Sequence, residues 1–103
     1  MLDLKALLTK ILANYADIRK GTVSASTVGS ISANGGYKDV TIQFTPQMKS
    51  TPIIIPIRTS IGTVGYQLQF GAINISTNGC TIRVWNFGSA AVSPAVAWVA
   101  IAI

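Results

Sequence analysis

The chain has 103 residues, of which 50% are apolar and 11% are charged, and eight Lys and Arg against three Asp give a net charge of +5. This length supplies one hydrophobic core, which excludes a second large domain. Half of the basic residues lie in the first twenty positions and the rest are scattered, so no basic stripe for nucleic-acid binding is present.

Residues 1–20 are predicted to form an N-terminal helix. Apolar residues recur there at alternating spacings of four and three, the period of a coiled-coil seam: Leu4, Leu8, Ile11, Tyr15 and Ile18. Arg19 and Lys20 suit the negative end of the helix dipole, and Gly21 suits the position that ends a helix. A short helix is marginal in water. The stripe is therefore predicted to contact either the sheet of the same chain or copies of the helix.

Residues 21–103 are predicted to form one β-sandwich head domain, because the apolar period changes to two after the helix. Six strands are predicted, over residues 22–33, 37–45, 53–61, 64–76, 80–87 and 94–103. Tight turns are favoured at Asn34, Gly35 and Gly36, and again at Asn78 and Gly79. These turns predict that strands one and two, and strands four and five, are antiparallel neighbours.

Two predicted strands, residues 53–57 and 95–103, are apolar on both faces and so need cover on both sides. The second cover would be the helix or another subunit, in keeping with a mean hydropathy of +0.49. In the last strand the large residues Val99 and Ile101 suit the core. Trp98, on the other face with the small residues Ala100 and Ala102, suits a close contact between subunits. The opposite assignment of the two faces is the alternative.

The chain lacks the residues that catalysis and metal binding usually require. It has no His, no Glu, three Asp and one cysteine, Cys80, so no catalytic site, metal site or cofactor is expected and no intrachain disulfide can form. The N-terminal residues do not have the pattern of a signal peptide. No apolar run reaches the roughly 18 residues of a spanning helix, so membrane insertion is not expected.

Binding of carbohydrate is the remaining chemistry that the residues favour. An aromatic ring stacks on the apolar side of a sugar, while amides or a guanidinium fix its hydroxyl groups. Arg83, Trp85 and Asn86 lie together on the fifth predicted strand, and Arg58 lies on a candidate neighbouring strand. The alternative is that Trp85 and Phe87 pack between subunits.

The order of motifs resembles a known family. Residues 40–44 (VTIQF) are followed by Met48, Thr51 and Pro52, and then by the apolar strand over 53–57. Residues 79–86 (GCTIRVWN) and 98–101 (WVAI) complete the pattern. This order is similar to the H-type lectin domain and to the related C-terminal domains of phage tail fibre and receptor-binding proteins. The resemblance covers about two thirds of the chain, from Lys38 onward.

The resemblance implies a six-stranded antiparallel β-sandwich that acts as a homotrimer and binds sugars such as N-acetylgalactosamine between subunits. For this chain it implies a non-enzymatic host-attachment module, located in the virion tail after assembly in the host cytoplasm. The expected partners are copies of the chain, a bacterial surface glycan and other virion tail proteins. One alternative is a purely structural tail or baseplate protein without a glycan ligand. Another is a depolymerase that acts through its aspartates, with Asp39 the best candidate.

Overall fold

A computed structural model of the chain describes residues 3–58 and 67–103, without the side chains of residues 9, 11–15 and 58. Within these ranges the chain forms two helices and six strands. The helices are α1 (Leu4–Tyr15) and α2 (Ala25–Val28). The strands are β1 (Asp17–Val23), β2 (Gly36–Gln43), β3 (Ile53–Arg58), β4 (Leu68–Ile73), β5 (Gly79–Asn86) and β6 (Val96–Ala102).

The strands form two three-stranded antiparallel sheets that pack face to face. The first sheet has the order β1-β6-β3 and the second has the order β2-β5-β4. Buried residues from both sheets meet in one core, among them Ile82 and Val84 from β5 and Val96 and Ala100 from β6. The predicted fold, an all-β antiparallel sandwich of six strands after an N-terminal helix, is confirmed.

The N-terminal helix is shorter than predicted, because residues 17–20 belong to β1 and pair with β6. Ile18 therefore continues the helical period only by coincidence. Arg19 turns inward, where it bonds the carboxylate of Asp17 and the carbonyl oxygens of the segment after β2. Gly21 is not a helix cap. It lies opposite Trp98, and an added Cβ would come within 2.6 Å of the indole ring.

The first predicted hairpin is wrong, although its turn is present. The predicted strand over 22–33 ends at Val23, after which the side chain of Ser24 caps α2 by accepting from the backbone of Thr27. Asn34 and Gly35 do adopt positive φ angles of 61° and 96°. However, β1 pairs with β6 rather than with β2, so the turn joins α2 to the second sheet instead of joining two neighbours.

The second predicted hairpin is confirmed. Strands β4 and β5 are antiparallel neighbours joined through the turn that contains Asn78 and Gly79. At Gly79 a Cβ would overlap the carbonyl oxygen of Ile42 on β2, so the close approach of these strands requires glycine. The predicted third and fourth strands correspond to β3 and β4, while their predicted ends over 59–61 and 64–66 lie outside the described residues.

The two faces of β6 have the opposite assignment to the predicted one. Val96, Ala100 and Ala102 are buried, and Trp98 points to the same side. The indole packs on Phe44, with ring centroids 5.7 Å apart. The small alanines give the core room for this large ring. Consequently Val99 and Ile101 point away from the core.

No helix in the described ranges is long and apolar enough to cross a membrane.

Candidate functional site

The outward face of the second sheet carries a cluster of aromatic and charged side chains. On β5 the burial alternates, so that Ile82, Val84 and Asn86 point inward while Arg83 and Trp85 point outward. The register of β2 places Tyr37 opposite Trp85 and Asp39 opposite Arg83. Side chains paired in this way share one face of an antiparallel sheet. We call these four residues, Tyr37, Asp39, Arg83 and Trp85, the aromatic platform.

The guanidinium of Arg83 is the centre of the platform. Its Nε donates to Oδ1 of Asp39 at 2.8 Å, and its Nη2 donates to Oδ2 at 3.0 Å. The Cζ atom also lies 4.3 Å from the ring centroid of Tyr37 and 5.9 Å from that of Trp85. These distances are those of a bidentate ion pair combined with cation–π contacts. The guanidinium is therefore fixed in orientation before any ligand arrives.

The charges of the platform cancel. The hydrogen bond from Arg83 lowers the pKa of Asp39, and the same bond raises the pKa of Arg83. Both groups are thus ionised at neutral pH. The side chain of Arg83 is about 29% exposed and that of Asp39 about 39%, so solvent reaches the pair. The platform offers a ligand both donors and acceptors without a net charge.

A second strand completes the surface around Trp85. Gln69 and Gly71 of β4 lie opposite Trp85 and Arg83, respectively. A Cβ at Gly71 would come within 3.2 Å of the indole, which means that the ring lies against the glycine backbone. The absence of a side chain at this position lets the indole rest on the sheet. The exposed Gln69 adds an amide beside it.

Asn86, predicted as a ligand-binding residue, lies on the other side of β5. It is 1% exposed, and its Nδ2 donates to the carbonyl oxygens of Ile31 at 3.1 Å and Ala90 at 2.9 Å. Its Oδ1 accepts from the backbone of Gly88 at 2.9 Å. The amide thus holds the segments around the end of β5 together.

The structure brings together Arg83 and Trp85 but separates them from Arg58. The latter ends β3 in the first sheet, where it pairs with Val96, and its side chain lies outside the described residues. Tyr37 and Asp39 are the platform residues that sequence analysis missed as ligand contacts. Only the pairing of β2 with β5 reveals them, and the predicted hairpin had assigned β2 a different neighbour.

The predicted interface residues have different surroundings. Leu4 and Leu8 on α1 are exposed, as is Ile18 on β1. Trp98 packs inside the chain on Phe44. The side chains of Ile11 and Tyr15 lie outside the described residues.

The described residues offer little to catalysis. Residues 3–58 and 67–103 contain no group of three potential metal ligands. The carboxylates of Asp17 and Asp39 each accept from an arginine, which lowers the pKa of both and makes them weak bases. Burial raises the pKa of the Cys80 thiol, so it is protonated at neutral pH.

The fold is similar to that of two solved pyocin tail fibre structures. The chain is similar to the solved structure of an N-truncated R1-type pyocin tail fibre, with a TM-score of 0.59 and 20% identity over 85% of this chain and 70% of that one. It is also similar to a C-terminal fragment of the P. aeruginosa R1 pyocin fibre, with a TM-score of 0.57 and 18% identity. That match covers 85% of this chain but 23% of the longer fragment. No family model and no curated protein matches the chain.

Proposed function

We propose that this chain is a carbohydrate-binding attachment module of a phage tail fibre or receptor-binding protein, which acts as a homotrimer and has no enzymatic activity. The observation that carries the proposal is the aromatic platform, on a fold shared with pyocin tail fibres. The ligand would be a glycan of the bacterial surface, and the module would reside in the virion tail beside other tail proteins.

The platform has the chemistry that sugar recognition needs. The indole of Trp85 lies close to the backbone of Gly71 and would supply an apolar surface for the C–H face of a pyranose. Beside it, the paired Arg83 and Asp39 present fixed donors and acceptors to adjacent hydroxyl groups. Since the pair is neutral as a whole, a neutral sugar suits it. Asn86 is left out of the proposed site because its amide is engaged within the chain.

A homotrimer would compensate for the shallowness of one platform. Open sites bury little of a ligand and bind it weakly, whereas three linked sites on a repetitive polysaccharide bind with much higher avidity. Attachment to a cell surface depends on such multivalent contact.

The proposal is tested by Trp85→Ala on an array of bacterial glycans, with purified and folded protein. Loss of the stacking surface should weaken binding roughly tenfold or more. The matched control is Thr41→Ala, an exposed residue on the same face of β2, which should bind as the wild type does. A folded wild-type protein that binds no glycan would contradict the proposal, as would unchanged binding by Trp85→Ala.

The alternative is a structural tail protein whose platform contacts other virion proteins. Tyr37 of the platform and Phe87, two residues after Trp85, are each 53% exposed, and exposed aromatic rings also suit a protein partner. Under this alternative Trp85→Ala would block incorporation of the chain into tails while no glycan is bound. An assembly assay with the same variant therefore separates the two functions.

A further inference from the structure

Phe87 extends the aromatic surface of the second sheet by one row beyond Trp85. It follows the last residue of β5, and Asn86 before it points into the core, so the alternation of the strand places Phe87 on the outward face. The residue is 53% exposed, as is Tyr37 on the neighbouring strand. This face therefore carries a second open ring next to its tryptophan.

The aromatic residues of the chain divide between this face and the core. Among the side chains that the structure describes, Phe44, Phe70 and Trp98 lie in the core or pack against it. The remaining ones are Tyr37, Trp85 and Phe87, which all lie on the outward face of the second sheet.

Hydrogen bonds hold the backbone around Phe87 on both sides. Its N–H donates to the carbonyl oxygen of Gln67, just before β4, at 2.9 Å. On the other side the N–H of Gly35, just before β2, donates to the carbonyl oxygen of Asn86 at 2.7 Å. A ring on a backbone that is held in this way loses little freedom when a ligand stacks on it.

The rings of Trp85 and Phe87 lean toward opposite strands. A Cβ at Gly71 on β4 would lie 3.2 Å from the indole, whereas a Cβ at Gly35 would lie 3.9 Å from the ring of Phe87. Residues two positions apart on a strand are already about 6.8 Å apart at their Cα atoms. The opposite lean separates the rings further, so one sugar can stack on either ring but not on both.

The stacking surface continues in one direction along β5. On the far side of Arg83, the next outward pair is Thr81 with Thr41, and neither side chain has a ring. Among the outward residues that the structure describes on this sheet, the charged ones are Arg83 and Asp39, which pair with each other. A ligand that runs from the platform to Phe87 therefore meets no uncompensated charge.

An open sheet face suits an extended ligand better than a single sugar. Sites for one small ligand are concave and bury roughly 70–90% of its surface. Tyr37 and Phe87 are instead more than half exposed, and they stand on a sheet rather than in a cleft. A ligand gains contact area here by reaching more than one ring.

We propose that this face binds the interior of an uncharged, linear polysaccharide, with two or more consecutive sugars laid obliquely across β5 from Trp85 to Phe87. This assignment rests on the proposed function and adds which part of the glycan is bound. One sugar stacks on the indole beside the pair of Arg83 and Asp39, and a later sugar of the same chain stacks on Phe87. A terminal sugar fills only one of these two positions.

The test is the dependence of affinity on ligand length. The probes are the monosaccharide and the tetrasaccharide cut from the uncharged polysaccharide that binds best on the glycan array, and NMR titration of the whole chain measures their affinities. The tetrasaccharide reaches both rings, so the wild type should bind it at least about tenfold more tightly than the monosaccharide. Equal affinity for the two probes would overturn the proposal and leave the proposed function standing.

Phe87→Ala identifies the second ring as the cause. This variant should bind the tetrasaccharide about tenfold more weakly than the wild type does, while its affinity for the monosaccharide, which still stacks on Trp85, should change by about twofold at most. The matched control is Phe87→Tyr, which keeps the ring and should bind both probes as the wild type does. Unchanged tetrasaccharide binding by Phe87→Ala would overturn the proposal.

The wild-type measurement needs no variant, so it decides the question even if Phe87→Ala does not fold. An array on which the folded wild type binds only acidic glycans would overturn the proposal of an uncharged ligand but not that of a glycan-binding module. An array on which it binds no glycan would contradict the proposed function and this assignment together.

Discussion

Arg83 shows how a single side chain is prepared for recognition. A carboxylate and two aromatic rings fix its guanidinium, although the group remains partly open to solvent. Long side chains usually lose conformational entropy when they bind a ligand, and this loss is smaller when the side chain is already ordered. Under the proposed function, Asp39 would therefore contribute to binding by holding Arg83 in place, even without a contact of its own to the sugar.

The same pair predicts a pH dependence of stability. Because Arg83 lowers the pKa of Asp39, the carboxylate stabilises the fold above its ordinary pKa of about 3.8, and this contribution is lost as the pH falls through the lowered value. At pH 7, Asp39→Asn should reduce the free energy of unfolding by about 0.5 kcal/mol, as is typical of a solvent-screened pair. Urea unfolding of both proteins at several pH values measures this difference in the free energy of unfolding.

The difference between Asp39→Asn and the wild type should disappear in strong acid and shrink in 1 M salt. An equal difference at pH 2 and pH 7 would show that the ion pair is not its cause.

The alternation of Ile82 and Val84 with Arg83 and Trp85 is enough to predict that the latter two point away from the core. It could not identify their partners, because Tyr37 is 48 positions before Trp85 and Asp39 is 44 positions before Arg83, and they become neighbours only through the β2–β5 register. For Asn86, the sequence could not decide whether the side chain is exposed or buried. An asparagine at the end of a strand suits either solvent or a buried turn, and only the surrounding carbonyl groups of Ile31 and Ala90 decide between them.

Among the elements, local signals predicted structure better than distant ones. The turn at Asn78 and Gly79 joins neighbouring strands, and its predicted hairpin is present. The pairing of β1 with β6 spans most of the chain, and no local pattern encodes it. The predicted helix extended to Ile18 because this residue fits two patterns. It lies three positions after Tyr15, as in a helix, and it also fits the alternation of a strand. Pairing with β6 decided the outcome.

The hairpin predicts a steric requirement at Gly79. Alanine there would drive its Cβ into the backbone of Ile42, so β2 and β5 would have to separate at that end. We expect Gly79→Ala to lower the free energy of unfolding by about 1–3 kcal/mol. Chemical denaturation of the purified variant measures this loss.

Gly71→Ala is the comparison, since its Cβ would meet the ring of Trp85, which can turn aside. Its loss of stability should be clearly smaller. Equal losses of unfolding free energy for the two variants would mean that the contact with Ile42 is not the reason for glycine at position 79.

At the scale of the whole molecule, composition predicted that apolar surface would remain after folding. The structure locates much of it on the outward face of the first sheet, at Ile18, Ile53, Ile55 and Ile57, and on the leucines of α1. Composition could not say which face of β6 is buried, because both faces are apolar. The buried face of β6 is decided by Trp98, whose large ring fits over Gly21 and contacts Phe44.

If copies associate through this surface, the melting temperature depends on protein concentration, because folding is then coupled to assembly. Raising the concentration of the wild type a hundredfold, from 1 to 100 μM, should raise the melting temperature by roughly 5–10 °C. Differential scanning calorimetry measures the shift. Ile55→Lys should melt at one temperature across this range, and a wild type that did the same would contradict the coupling.

The position of β6 in the first sheet constrains the order of events during synthesis. Both β1 and β3 take their strand pairing from β6, which is the last of the six strands to be made. None of the ladder hydrogen bonds of this sheet can therefore form until the ribosome has released residues 96–102. A nascent chain can therefore complete the second sheet, which carries the aromatic platform, while the first sheet waits until translation has passed Ala102.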